Sequence, residues 1–248
     1  MPWILGGCGC LVLLLLIAAI ASYAAYRAKK KVAEVASEMQ SALASITPTP
    51  AASASKASSP RTAGTKTYTN VKDKLPAKLQ PHFVAFSFDY PASFVLQPQG
   101  EINFVKVEQY TSAGPGNTSE NFAVGSASFS MPSMPGGLDD LFGSVIYDQL
   151  LDQLGQQFAR GFHNYKEVKK VNETVSGIKC RAALFEADLN DSGKTMIYGK
   201  TIVVHPPGKD KGVTIIMLAT SLDPDIDSPA DLGVKGETAE ILRSFRIL

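Results

Sequence analysis

Cysteine is scarce in this sequence and badly placed for cross-linking. Of three in 248 residues, Cys8 and Cys10 sit inside an opening apolar run, so a disulfide framework has no basis. The remaining one, Cys180, reads as a small core residue. Histidine is equally sparse: His82, His163 and His205 fall on separate segments, without H-E-x-x-H or a comparable ligand spacing. Charged residues make up 19% of the chain and the net charge is +1. Nucleic acid is therefore not an expected partner. There is no G-x-S-x-G elbow and no paired Cys–His signature. "DSGKT" at Asp191–Thr195 lacks a phosphate loop's first glycine, Asp188 standing there, and reads as a hairpin turn. No catalytic, cofactor-binding or metal-ligating residue is assigned.

Charge is missing altogether between Trp3 and Tyr26. A helix needs roughly 20 apolar residues to cross the hydrocarbon of a bilayer, so residues 1–26 are expected to form one transmembrane helix. Trp3 at one end and Tyr23 and Tyr26 at the other suit the headgroup layers, and Arg27, Lys29, Lys30 and Lys31 complete the interfacial anchors. Gly6, Gly7 and Gly9 offer a small-residue face for contact with a neighbouring helix. Two processing readings compete. "LGGC" at Leu5–Cys8 superficially resembles a lipoprotein box, yet its apolar core follows the cysteine instead of preceding it. Ala19-Ile20-Ala21 could serve a signal peptidase, but a basic leading region is absent and the basic run after the span opposes export. A retained single-pass anchor fits best. By the positive-inside rule the downstream domain is cytoplasmic, with an extracytoplasmic or periplasmic placement as the alternative.

Residues 27–46 read as a juxtamembrane helical stalk, with Val32, Val35, Met39 and Leu43 in a narrow stripe. Residues 47–66, rich in Pro, Ala, Ser and Thr, read as a flexible linker. From 67 to 248 the pattern is that of one folded domain. Alternation predicts strands at 83–91, with Val84, Phe86 and Phe88 inward, at 103–110, with Val105 and Val107 inward, and at 121–130. The intervening loop, with Ala113, Gly114, Pro115, Gly116 and Asn117, is a candidate docking loop. Leu138, Leu141, Phe142, Val145, Ile146, Leu150, Leu154 and Phe158 then keep a 3.6-residue period, predicting a long helix that ends near Gly161. Four more strands follow at 167–175, 178–189, 195–205 and 213–221, with a turn at Ser176-Gly177, and a helix from Asp231 to Ser244 closes the chain. The implied class is α+β: an antiparallel sheet sandwiched by helices, preceded by one transmembrane helix.

"FSFDYPASF", "VSGIKCRAALFEA" and "EILRSFRI" resemble the PsbP/DcrB-like superfamily over Tyr68 to Leu248. That group includes lumenal photosystem accessory proteins, Ran-binding import factors and bacterial envelope lipoproteins, and its fold is an α/β/α sandwich. The resemblance implies a membrane-anchored bacterial member with a binding or accessory domain and no catalytic set. Two smaller features complete the reading. Asp223, Asp225 and Asp227 match the first spacings of a calcium loop, but Ser228 and Val234 stand where it needs Gly and Glu. Lys166, Lys169 and Lys170 suit a solvated strand edge, or contact with lipid headgroups or an acidic partner. The expected function is a non-catalytic accessory subunit that binds a larger membrane complex, photosystem-type by family resemblance only. Its partners would be the lipid bilayer and other subunits of that complex. The alternative is a tethered ligand-binding or sensory envelope domain.

Overall fold

The computed structural model describes residues 64–98, 103–111, 118–128, 139–189 and 195–248. The span, stalk and most of the linker expected before Gly64 lie outside the described residues. Among the described residues no helix is long and apolar enough to cross a membrane.

Strands β1 (Thr65–Thr69) and β2 (Phe86–Pro91) are followed by β3 (Val95–Gln97), β4 (Phe104–Tyr110) and β5 (Thr118–Ser128). Helix α1 (Asp139–Gly161) leads to β6 (His163–Val175), β7 (Ile178–Asp188), β8 (Met196–Val204) and β9 (Lys211–Thr220). Helix α2 (Gly236–Ser244) and β10 (Arg246–Ile247) end the chain. The strands divide into two antiparallel sheets rather than the single sheet expected: three strands ordered β1-β2-β10, and seven ordered β3-β4-β5-β9-β8-β7-β6. Hairpin proximity predicts pairing only between neighbours in sequence, so it could not separate β2 from β4.

The large sheet is buried on both faces. Val105, Val107, Phe122, Val124, Ile215 and Met217 join Phe86 and Phe88 of β2 and Ile241 and Phe245 in one apolar cluster. Phe104, Ala123, Phe185, Ile197, Ile216 and Leu218 meet Leu150, Leu151, Leu154 and Phe158 of α1 in the other. Fully burying each such side chain contributes about 1.5–3 kcal/mol. The long helix thus covers one face, while the small sheet and α2 cover the opposite one. Alternating Phe86, Phe88 and Tyr90 lay the small sheet on the large one, with the rings of Phe88 and Phe122 edge-on at 5.4 Å.

Several expectations shift in detail. Val145 of the helical stripe is 53% exposed, and Leu151 is buried beside Leu150 instead. The last helix begins at Gly236, not Asp231, because 231–235 forms a turn in which Asp231 accepts hydrogen bonds from the backbone N–H groups of Val234 and Lys235. The turn at Ser176-Gly177 is present, with φ of 53° and 76°, the pair of positive values a tight type I′ hairpin needs.

Two strand glycines exist because aromatic rings lie over them. A Cβ at Gly199 would fall 2.0 Å from Phe185, its cross-strand partner, and one at Gly125 would fall 2.5 Å from Phe104. Gly199→Ala is therefore expected to lower unfolding stability by about 1–3 kcal/mol, the cost of overpacking a filled interior. Urea denaturation followed by circular dichroism checks it, and an unchanged midpoint would mean that the Phe185 ring can swing away freely.

Candidate functional site

The docking-loop residues Ala113, Gly114, Pro115, Gly116 and Asn117 lie outside the described residues, as do Gly6, Gly7, Gly9, Trp3, Tyr23, Tyr26, Arg27, Lys29, Lys30 and Lys31. The strands that flank the loop are described. Lys106 and Glu108, which alternation turns away from the Val105–Val107 face, are only 8% and 5% exposed and form an ion pair at 3.0 Å. Gln97 donates to Glu108 at 2.6 Å, and the Tyr110 hydroxyl donates to the same carboxylate. Burial, then Glu108, pushes that hydroxyl up to about 12. The neck of the β4–β5 hairpin is thus a closed polar network.

The other sequence candidates are engaged structurally. Asp223 accepts from the backbone N–H of Asp225 at 2.9 Å, and Asp231 accepts from that of Asp227 at 3.1 Å and pairs with Lys235 at 2.8 Å. These carboxylates shape their own loop, and among the described residues no group of three His, Cys, Asp or Glu is arranged to hold a metal ion. Lys166 pairs with Glu186 at 2.9 Å and Lys170 with Asp152, both along the edge strand β6. Burial pushes the Cys180 thiol up to about 12, which keeps it a thiol and a poor nucleophile.

His205 sits at the end of β8, where Nε2 meets the Lys209 carbonyl at 2.6 Å and Nδ1 meets the Tyr147 hydroxyl at 2.9 Å. The carbonyl can only accept, so Nε2 carries the proton and Nδ1 accepts from Tyr147. The imidazole is neutral, tying the turn after β8 to α1, and burial lowers its pKa from 6.5.

Glu120 was not singled out by its local sequence. Its carboxylate, 1% exposed on β5, accepts from the backbone N–H groups of Glu237 and Thr238, each at 2.9 Å, and from the Thr238 hydroxyl at 2.6 Å. It caps α2 from the middle of the large sheet, because Lys235 at the cap position supplies no side-chain hydrogen bond. Gly236 permits this approach: its φ is +71°, and a Cβ there would stand 2.8 Å from a Glu120 oxygen. Burial raises the Glu120 carboxyl, against the pull of those hydrogen bonds. Through α2 the cap positions β2: the Ser244 hydroxyl accepts from the Asp89 N–H at 2.8 Å, and Phe245 packs on Phe86 at 5.8 Å.

Beside the small sheet lies a partly open groove of about 410 Å³. One wall is β1 and the turn after it, from Thr67 to Val71 with Lys74 and Leu75; the other is Leu96 and Pro98, at the edge strand β3. Among the described residues β1 pairs only with β2. The bonds from Asn70 N–H to Phe86 and from Ala92 N–H to Gly64 place residues 64, 66, 68 and 70 toward β2. The backbone N–H and C=O groups of Thr65, Thr67 and Thr69 therefore point away from it, because pairing alternates along an antiparallel strand. Groups so placed can bond an extended chain.

The described residues thus form an α+β domain of two antiparallel sheets and two helices, with a groove at a strand edge. No family model and no curated protein matches the chain. It is similar to the solved structure of cyanobacterial PsbP (CyanoP) from Synechocystis sp. PCC 6803, at 12% identity, covering 75% of this chain and 94% of that one with a TM-score of 0.46. It is also similar to LpqN, described as involved in cell envelope biogenesis of Mycobacterium tuberculosis (11% identity, 74% and 91% covered, TM-score 0.43). A third is the Saccharomyces cerevisiae Ran-binding protein Mog1p (13% identity, 65% and 89% covered, TM-score 0.39). A PsbP, from the superfamily that the sequence resembles, thus stands among the structures this chain is similar to.

Glu120→Ala leaves two buried backbone N–H groups and a hydroxyl without their acceptor, and is expected to cost about 2–4 kcal/mol by denaturation of the full chain. A loss within error would show that α2 is held by packing alone. For His205 the unfolded chain binds the proton more readily than the folded one, so stability is full above pH 6.5 and falls as pH drops from there through the lowered folded value. Unfolding midpoints of His205→Gln should lack that decline, and a parallel decline in both proteins would contradict the assignment.

Proposed function

We propose that this chain is a non-catalytic accessory subunit, held at a membrane by its N-terminal apolar segment, whose domain binds and braces a larger membrane complex. The single observation that carries the reading is the groove beside the edge of β1, which is unpaired among the described residues and offers backbone hydrogen-bonding groups and an apolar floor. The residues around the linker add a physical reason for the anchor. A tether of 47–66 would hold the groove near a neighbouring subunit at high effective concentration, so a modest intrinsic affinity suffices. The domain lies on the cytoplasmic side in this reading, following Arg27, Lys29, Lys30 and Lys31. A second reading, a tethered ligand-binding or sensory domain, draws on the groove's volume, which falls within the range of small-molecule sites.

Mild detergent extraction followed by native sizing tests the proposal. The chain is expected to remain membrane-bound through a salt wash and to migrate in a larger assembly with stoichiometric co-purifying subunits. A free monomer, or release without detergent, would contradict it. Protease added to sealed vesicles of known orientation is expected to cut the 47–66 linker only from the cytoplasmic face, and cleavage from the opposite face alone would reverse the placement.

A further inference from the structure

An open sheet edge is a hazard that sequences ordinarily blunt. Among the described residues three of the four sheet edges are blunted. β6 carries Lys166, Lys169 and Lys170 and two register irregularities. β3 has three residues and runs into Pro98, and β10 has two. β1 differs: its five residues keep an unbroken one-to-one register with β2, include no proline, and carry one charge, Lys66, against the three lysines of β6. An edge left regular, bordered by a groove, suits the addition of a strand.

We infer that β1 receives an extended acidic segment of a protein partner, which adds to the small sheet as a fourth strand. This names the partner chemistry of the groove and so rests on the binding role proposed above. Three observations define the occupant. Thr65, Thr67 and Thr69 present their N–H and C=O groups over about 17 Å of strand, enough to pair five residues of a partner. Tyr68, Leu75 and Leu96 give an apolar floor that accepts one face of an alternating segment. The charge is one-sided: Lys66, Lys72, Lys74 and Lys78 are exposed and have no carboxylate partner among the described residues, against Asp73 in the same stretch. Asp89, across from Thr67, is engaged by the Thr67 hydroxyl at 2.6 Å. Of these lysines Lys74 lines the groove, beyond Thr69, so the partner's acidic residues lie at the end of its strand beside Thr69. In an antiparallel addition that is its N-terminal end.

The test uses the full chain in detergent micelles and a fluorescent capped peptide of sequence DEDVTVTV, with KRKVTVTV as control. Anisotropy is expected to show saturable binding of the acidic peptide, weakened by added salt, and no saturable binding of the basic one. Thr67→Pro removes an outward N–H at a position where an edge strand tolerates proline, and should weaken binding about tenfold or more without moving the unfolding midpoint. The double variant Lys74→Glu, Lys78→Glu should weaken it comparably with β1 intact, which covers the case in which the proline variant does not fold. Equal binding of both peptides, no binding of the acidic one, or full affinity in the charge variant would overturn the inference. Native sizing separates the two levels. If Thr67→Pro folds and stays in the large assembly, strand addition falls and the accessory role stands; if the unaltered chain is monomeric, the accessory role falls.

Discussion

One buried carboxylate orders the side of the domain that faces the groove. Glu120 stands in the interior of the large sheet, and the N-terminus of α2, which has no cap of its own, comes to it. Anion and helix end satisfy one another where water cannot, and unfilled, either would be expensive. With that end fixed, Ser244 at the far end meets the backbone of Asp89 and Phe245 meets Phe86, so the small sheet is held against the large one. The edge of β1 and the groove beside it inherit their position from this chain of contacts.

The two faces of the large sheet are used differently. Under α1 the packing is aromatic over glycine and aliphatic against helix, and His205 closes on Tyr147 and Lys209. On the other face the cover is assembled from separated parts of the sequence, β1 and β2 before the large sheet and α2 and β10 after it. Lys200, buried on this face, reaches the Leu232 carbonyl at 3.1 Å and pairs with Glu173, which binds the loop before α2 to the sheet. A cover pieced together in this way ends in a strand with no further strand beside it among the described residues. Function, in this account, resides at that seam, where backbone groups and lysines face solvent beside a groove.

Much of this architecture is legible along the chain. Phe86 and Phe88 alternate as an inward-facing strand must, Leu150, Leu154 and Phe158 keep helical spacing, and Ser176-Gly177 is a turn by composition. The long-range features are not. Glu120 looks like any strand carboxylate, because its partners are 117 and 118 residues away. Lys106 and Glu108 read as solvent-facing by alternation, yet they are buried. β1 was expected to fall partly within the linker, since Thr65-Lys66-Thr67-Tyr68-Thr69 has one bulky apolar residue; its signal is the alternation of β-branched threonines. The groove is illegible for the same reason, because a groove between two sheet edges exists only once those edges have come together.

Hydrogen–deuterium exchange at the amides of Thr65, Thr67 and Thr69 tests the central claim most directly, comparing the purified chain with the same chain in its native membrane assembly. These three amides should exchange freely in the isolated protein and become protected in the assembly, while those of Lys66 and Tyr68, already bonded to β2, change little. Equal exchange at Thr65, Thr67 and Thr69 in both states would contradict the assignment of this edge as the binding surface.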